Sequence, residues 1–208
     1  MDDWYVVMWL ALAYALGSVS FAIVVSRLMG LDDPRTYGSQ NPGATNVLRS
    51  GSKKAAALTL LLDALKGWLP VWAVQRWMPD QAPQLLVAGV ALAAFVEHVW
   101  PVFFRFKGGK GVATAAGVLF GVHPVLGLAT AATWLIIAFF FRYSSLAALC
   151  AAVFAPFYFA LGQGLLWPAN AVLLGALLIM SAVLIQRHTD NLRRLLRGEE
   201  SRIGQKKA

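Results

Sequence analysis

The sequence predicts an all-α polytopic membrane protein of about seven transmembrane helices, with the N-terminus outside and the C-terminus cytoplasmic. Three observations carry this prediction. The 208 residues are 59% hydrophobic and only 13% charged, with a mean hydropathy of +0.62, which leaves too little polar surface to coat a soluble domain. The apolar residues gather in runs near the roughly 20 residues that a crossing needs. The basic residues collect between and after those runs, as the inside-positive rule requires. The net charge of +8 would point to nucleic acid in a soluble protein; here a cytoplasmic face accounts for it, and no nucleic-acid partner is expected. A single cysteine, Cys150, excludes a disulfide scaffold. With only His98, His123 and His188 scattered along the chain, no metal site is expected.

Taken in order, the chain starts Met1-Asp2-Asp3-Trp4, acidic where a secretory signal is basic, and no Ala-x-Ala pattern interrupts the apolar run. Residues 4–29 therefore read as a retained span. Arg27, Arg35, Arg49, Lys53 and Lys54 follow it, which puts the acidic end outside. Further spans read at 55–78, 84–104, 125–141, 146–162 and 168–185. Residues 112–122 are short for a crossing, and His123-Pro124 interrupts the pattern directly after them. If 112–141 crossed once, Arg187, Arg193, Arg194, Arg197, Arg202, Lys206 and Lys207 would face away from the basic first loop. A turn at His123-Pro124 instead places every basic residue except Lys66 and Arg76 on one side, with Trp4, Trp77 and Trp167 in an outer aromatic belt. Parity thus favours the turn. With no repeat or long polar insertion, residues 1–208 read as a single integral membrane domain.

Three polar segments, and one helix start between the second and third, then fall on the inner side. Residues 31–54 offer Ser39, Asn41, Thr45, Asn46 and Arg49 between two apolar helices. The stretch serves as a solvated Asn-Pro-Gly turn, or as hydroxyl and amide donors beside a guanidinium that suits a phosphate. Residues 106–114, FKGGKGVAT, place Gly108, Gly109 and Gly111 with Lys107 and Lys110 directly before a helix. Bare backbone N–H groups, a helix N-terminus and two cations make an anion cradle. It is neither a Walker A loop, since Gly111 follows Lys110 where Ser or Thr should stand, nor a complete GxGxxG, since Thr114 holds the last position. Ser144 and Ser145 open another inner-facing helix, as caps or as a second anion site. In the tail, His188 and Asn191 share a helical face at i, i+3, while Arg193, Arg194 and Arg197 suit lipid headgroups. Within the spans, Asp63 and Lys66 stand one turn apart and read as a mutually neutralising pair, and Glu97 and His98 as cavity or packing groups.

These segments resemble a known family. GSQNPGATNVLRSG (38–51), FKGGKGVAT (106–114) and RHTDNLRRLLRGEE (187–200) are similar to the three signature motifs of the bacterial acyl-phosphate-dependent glycerol-3-phosphate acyltransferases. GSVSF, DALKG, RYSSL and the order of spans extend the likeness over nearly the whole chain; Gln40 departs from it where glycine is common. The resemblance implies a multi-pass enzyme of the bacterial inner membrane with its active site facing the cytoplasm. It would move a fatty acyl group from acyl phosphate to the 1-position of sn-glycerol 3-phosphate, giving lysophosphatidic acid and phosphate, the first step of phospholipid biosynthesis. No cofactor is implied, Arg and Lys replacing a metal, and the partners are the two substrates, membrane lipids and a loose association with the enzyme that makes acyl phosphate. Ser39, Arg49, His188 and Asn191 would be catalytic, and Thr45, Asn46, Lys107, Gly108, Gly109, Lys110, Gly111 and Ser144 or Ser145 would bind substrate. Glu200 would hold the structure rather than react.

An acyl phosphate already carries a good leaving group, so positioning and charge stabilisation suffice. Two schemes remain for the proton: His188 as general base aligned by Asn191, or a substrate phosphate oxygen as acceptor with His188 binding phosphate, the scheme the resemblance favours. A thioester-using acyltransferase would need His-x-x-x-x-Asp, whereas Phe103, Leu128 and Arg193 stand at the fifth positions after the three histidines. A transporter for a phosphorylated metabolite should carry inverted repeats, and the sequence has none.

Overall fold

The computed structural model describes residues 3–78 and 84–204; Asp2, Lys206 and Lys207, invoked above for sidedness, lie outside the described residues. The described chain is helical throughout its spans. Helices α1 (Asp3–Gly17) and α2 (Phe21–Leu28) lead to the short α3 (Ala44–Val47) and then to α4 (Lys53–Trp77) and α5 (Gln84–Val99). They are followed by α6 (Val112–Val122), α7 (Pro124–Phe141), α8 (Ser144–Gly162), α9 (Ala171–Arg187) and α10 (Thr189–Leu196). Their starts follow local chemistry. Ser52 Oγ accepts from Ala55 N at the head of α4, and Asn170 Oδ1 from Leu173 N at the head of α9, each answering an orphan donor of the first turn. Pro124 begins α7, where its missing N–H costs nothing.

Among the described residues four helices are long and apolar enough to cross a membrane, and up to six passes result if the bent pairs α1–α2 and α9–α10 each count as one. The first expected span is thus broken: α1 and α2 meet at 43° because the chain at Ser18–Ser20 turns its polar atoms to other helices. Ser18 Oγ donates to Glu97, and Val19 O accepts from Lys66 Nζ at 2.6 Å. Helix α5 is the centre, with Val90, Ala91, Ala94 and Phe95 fully buried among α1, α4, α6 and α9. Helix α7 is peripheral, exposing Leu128, Leu135, Ile136, Phe139 and Phe140 as a lipid-facing surface.

The short α6 lies tightly along α4. Gly67 faces the carbonyl of Thr114 and Gly117 that of Ala64 with no room for a Cβ on either, while Gly121 sits over Trp68 and Val71. Gln75 Nε2 closes the far end by donating to Gly121 O at 2.8 Å. Small residues let two backbones approach this closely within a membrane bundle. The order of these contacts makes α6 run in the same direction as α4, starting at about its middle, so the loop before α6 is carried into the bundle. The chain does break at His123-Pro124: His123 is extended, and α7 packs back against α6.

Candidate active site

The three polar segments meet at one end of the bundle. Gly109 lies against the carbonyl of Pro42, Thr45 Oγ1 is 3.1 Å from Ser144 Oγ, and Arg49 Nη2 donates to Ser201 Oγ at 2.8 Å. A cleft of about 510 Å³ opens between them, lined by Ser39, Asn41, Gly108, Lys110, Arg187 and Asp190 among others.

Asn46 shapes the first segment. Buried, it accepts from Ser39 N at 3.0 Å through Oδ1 and donates through Nδ2 to Pro34 O at 2.6 Å and Tyr37 O at 3.2 Å. Its amide is therefore turned into the loop and not toward a ligand, and it also accepts from Arg49 Nη1 at 3.4 Å. Ser39 stays exposed at the cleft. Beside it Gln40 adopts φ +56°, the left-handed conformation that glycine takes without cost.

In the second segment Gly109 N donates to His98 O at 2.9 Å, while Arg187 Nη2 reaches the carbonyls of Gly108 and Gly109 at 3.3 and 3.4 Å. Gly108 and Gly109 lie so close to the end of α5 that neither has room for a Cβ, and Gly111, at φ +84°, caps α6. Lys110 projects from this frame and donates to Asn191 Oδ1; Lys107 is exposed.

The third segment completes the site. Glu200 accepts from Ser145 Oγ and Asn191 Nδ2, each at 2.6 Å, and from Arg194 Nε at 2.7 Å. Ser144 thus faces the first segment and Ser145 the tail. His188 is buried, and its Nδ1 lies 2.8 Å from Leu184 O. A carbonyl can only accept, so Nδ1 carries the proton and Nε2 presents a lone pair. The alignment of His188 comes from Leu184 and not from Asn191, whose two ends engage Lys110 and Glu200.

Burial pushes Lys110 down to about 8 against the opposing pull of Glu200, and burial with the Lys110 charge pushes His188 down to about 4. Burial would raise Glu200, but hydrogen bonds from Ser145, Asn191 and Arg194 outweigh it and hold the carboxyl below its usual value. The site at neutral pH therefore holds a neutral imidazole among cations and an ionised carboxylate. Arg187 was not singled out as a ligand by the sequence, where it reads as one more inside-positive residue. Yet it lines the cleft, and its buried Nε has no hydrogen-bond partner among the described residues.

Residues 7–198 match the family described as glycerol-3-phosphate acyltransferase. The chain belongs to the glycerol-3-phosphate acyltransferase family. Among curated relatives, the glycerol-3-phosphate acyltransferase of Burkholderia multivorans is 63% identical over 199 residues, covering 94% of this chain and 90% of that protein. That of Albidiferax ferrireducens is 61% identical over 197 residues, covering 94% and 88%. The fold matches crystal structures of PlsY, an integral membrane glycerol 3-phosphate acyltransferase. Its glycerol 3-phosphate form has a TM-score of 0.88 at 38% identity, over 96% of each chain. Its lysophosphatidic acid form has a TM-score of 0.86 at 37% identity, again over 96% of each. The chain is accordingly an integral membrane acyltransferase, and phospholipid biosynthesis follows from the family.

Proposed function

We propose that this acyltransferase takes its acyl group from an acyl phosphate and places it on the 1-hydroxyl of sn-glycerol 3-phosphate, at a cytoplasmic cleft of the bacterial inner membrane. The observation that carries the reading is the convergence of cations and hydroxyls at one end of the bundle: Ser39, Lys110 and Arg187 line the cleft, Arg49 is tied to the Ser39 loop through Asn46, and Thr45 meets Ser144 beside them. Two phosphorylated substrates need such groups for each phosphate. Lysophosphatidic acid, the ligand of one solved relative, is the product this transfer gives.

The hydroxyl oxygen attacks the acyl carbon, the acyl–phosphate bond breaks, and inorganic phosphate leaves with the electron pair. The hydroxyl proton goes to a substrate phosphate oxygen. A phosphate dianion, with a second pKa of ~6, is a stronger base than His188 at about 4, so His188 orients the hydroxyl through its Nε2 lone pair and does not remove the proton. Asn46 holds Ser39 and Arg49 in register, and Asn191 with Glu200 holds Lys110 and Ser145. The oxyanion that develops at the acyl carbon faces fixed cations and amides.

The same convergence supports seven crossings. Segments 31–54, 106–111, 142–145 and 188–200 share a face only if α6 and α7 travel out and back, as α4 with α5 and α8 with α9 must. The N-terminus then lies on the opposite, outer side. The deciding assay gives detergent-purified protein palmitoyl phosphate and glycerol 3-phosphate: inorganic phosphate and lysophosphatidic acid should appear together without added CoA, acyl carrier protein or metal. Turnover with palmitoyl-CoA and none with palmitoyl phosphate would overturn the reading.

A further inference from the structure

The buried ionisable groups of α4 and α5 are not a self-contained pair. Lys66 Nζ lies 2.9 Å from Asp63 Oδ1 and donates to Val19 O, but Asp63 Oδ1 also lies 3.7 Å from His98 Nδ1. That same Nδ1 is 3.1 Å from Thr114 Oγ1. The Nε2 edge of the ring abuts Gly109, where a Cβ would collide with it, and the His98 carbonyl takes the Gly109 N–H. One residue thus touches the glycine loop with both its backbone and its ring, and is in turn held by an acid on α4 and a hydroxyl on α6. On its other side, among the described residues, Arg187 reaches the loop carbonyls of Gly108 and Gly109 at 3.3 and 3.4 Å.

We propose that His98, fixed by Asp63 and Thr114, is a positioning residue that sets the Gly108–Lys110 backbone for glycerol 3-phosphate from the membrane side. The alternative is plain charge neutralisation within α4. That alternative needs only Asp63 and Lys66 at i, i+3; it gives no reason for the carboxylate to share its oxygen with a ring packed on the loop, nor for a hydroxyl from the first turn of α6 to meet the same nitrogen. Buried polar groups are costly unless partnered, and here the ring nitrogen has the Thr114 hydroxyl from α6 for its hydrogen bond and the Asp63 carboxylate from α4 as a nearby charge. Tilting the His98 ring would move Gly109 and the base of Lys110 together, while Ser39, Thr45 and Ser144 would keep their places.

The inference rests on the reading that this loop holds glycerol 3-phosphate, and the test keeps the two apart. Binding of glycerol 3-phosphate to the full-length, detergent-purified protein is measured by calorimetry with no acyl donor present, alongside the KM for palmitoyl phosphate. Failure of the unaltered protein to bind glycerol 3-phosphate would remove the reading of the loop itself. With binding established, His98→Leu should raise the Kd about tenfold, the effect of one lost hydrogen bond, and leave the donor KM within about threefold. His98→Asn, whose amide nitrogen stands near the Nδ1 position, should restore most of the affinity. Thr114→Val, a swap of similar shape, should weaken binding and Thr114→Ser should not, which keeps the test decisive if His98→Leu fails to fold. Unchanged affinity in His98→Leu and Thr114→Val, Asn no better than Leu, or a donor KM rising in parallel would each overturn the proposal.

Discussion

Gln40 sits at φ +56°, a conformation that costs an L-residue about 1–2 kcal/mol. Part of that relief would be offset by the greater freedom of glycine in the unfolded chain. Gln40→Gly should therefore stabilise the protein by up to about 1 kcal/mol, an upward shift of a few degrees in Tm at this chain length, with turnover kept; a lower Tm in detergent would contradict it. Lys110 and His188 make a second test through pH. Lys110 must be charged to hold phosphate, and with its pKa lowered to about 8 the cation is complete well below that value and lost as pH rises through it. The kcat/KM profile, which reports the free enzyme and free substrate, should fall on a basic limb near pH 8, and Lys110→Arg should move that limb upward. The acidic limb belongs to the substrate phosphate near pH ~6. His188→Gln should therefore lower the rate but leave this limb in place; complete loss of activity that added imidazole restores would make His188 the base.

At the scale of the element, the contact between α4 and α6 decides where the glycine loop before α6 sits. Gly117 meets the backbone of Ala64 and Trp68, and backbone cannot move aside as a flexible side chain can. Gly117→Val should cost about 1–3 kcal/mol by overpacking and raise the KM for glycerol 3-phosphate, because α6 would leave α4 carrying the loop with it. An added Cβ at Gly175, inside α9, meets nothing, so Gly175→Ala should hold or raise the Tm and serves as the control in thermal unfolding. The helices themselves were legible in the sequence, since apolar run length and the His123-Pro124 break are local signals. The break at Ser18–Ser20 was not, because its polar atoms are answered by Glu97 and Lys66 from distant helices. Within the site, the converging motifs could be read from composition and resemblance, but the direction in which each amide faces could not. Asn46 turns into its own loop and Asn191 bridges Lys110 to Glu200, outcomes set by packing that no spacing rule encodes.

For the whole molecule, parity links the loop contacts to the number of crossings. On the proposed reading, loop contacts such as Thr45 to Ser144 and Arg187 to Gly108 call for an even number of crossings between each pair of polar segments, and α6 would then be a pass despite its 11 residues. A single crossing over 112–141 would put the tail on the outer side. The lone Cys150 makes the distinction measurable, since Cys150→Ser gives a cysteine-free parent. Into it, Ser50→Cys, Lys107→Cys, Arg197→Cys and Leu165→Cys are introduced one at a time, all at exposed positions. A membrane-impermeant maleimide should label the first three only in inverted vesicles and the Leu165→Cys protein only in right-side-out ones. Labelling of Arg197→Cys from the side opposite Ser50→Cys would restore the single crossing and separate His188 from Arg49. It would also remove the shared cleft, because a site assembled from the first and third segments cannot form when a bilayer lies between them.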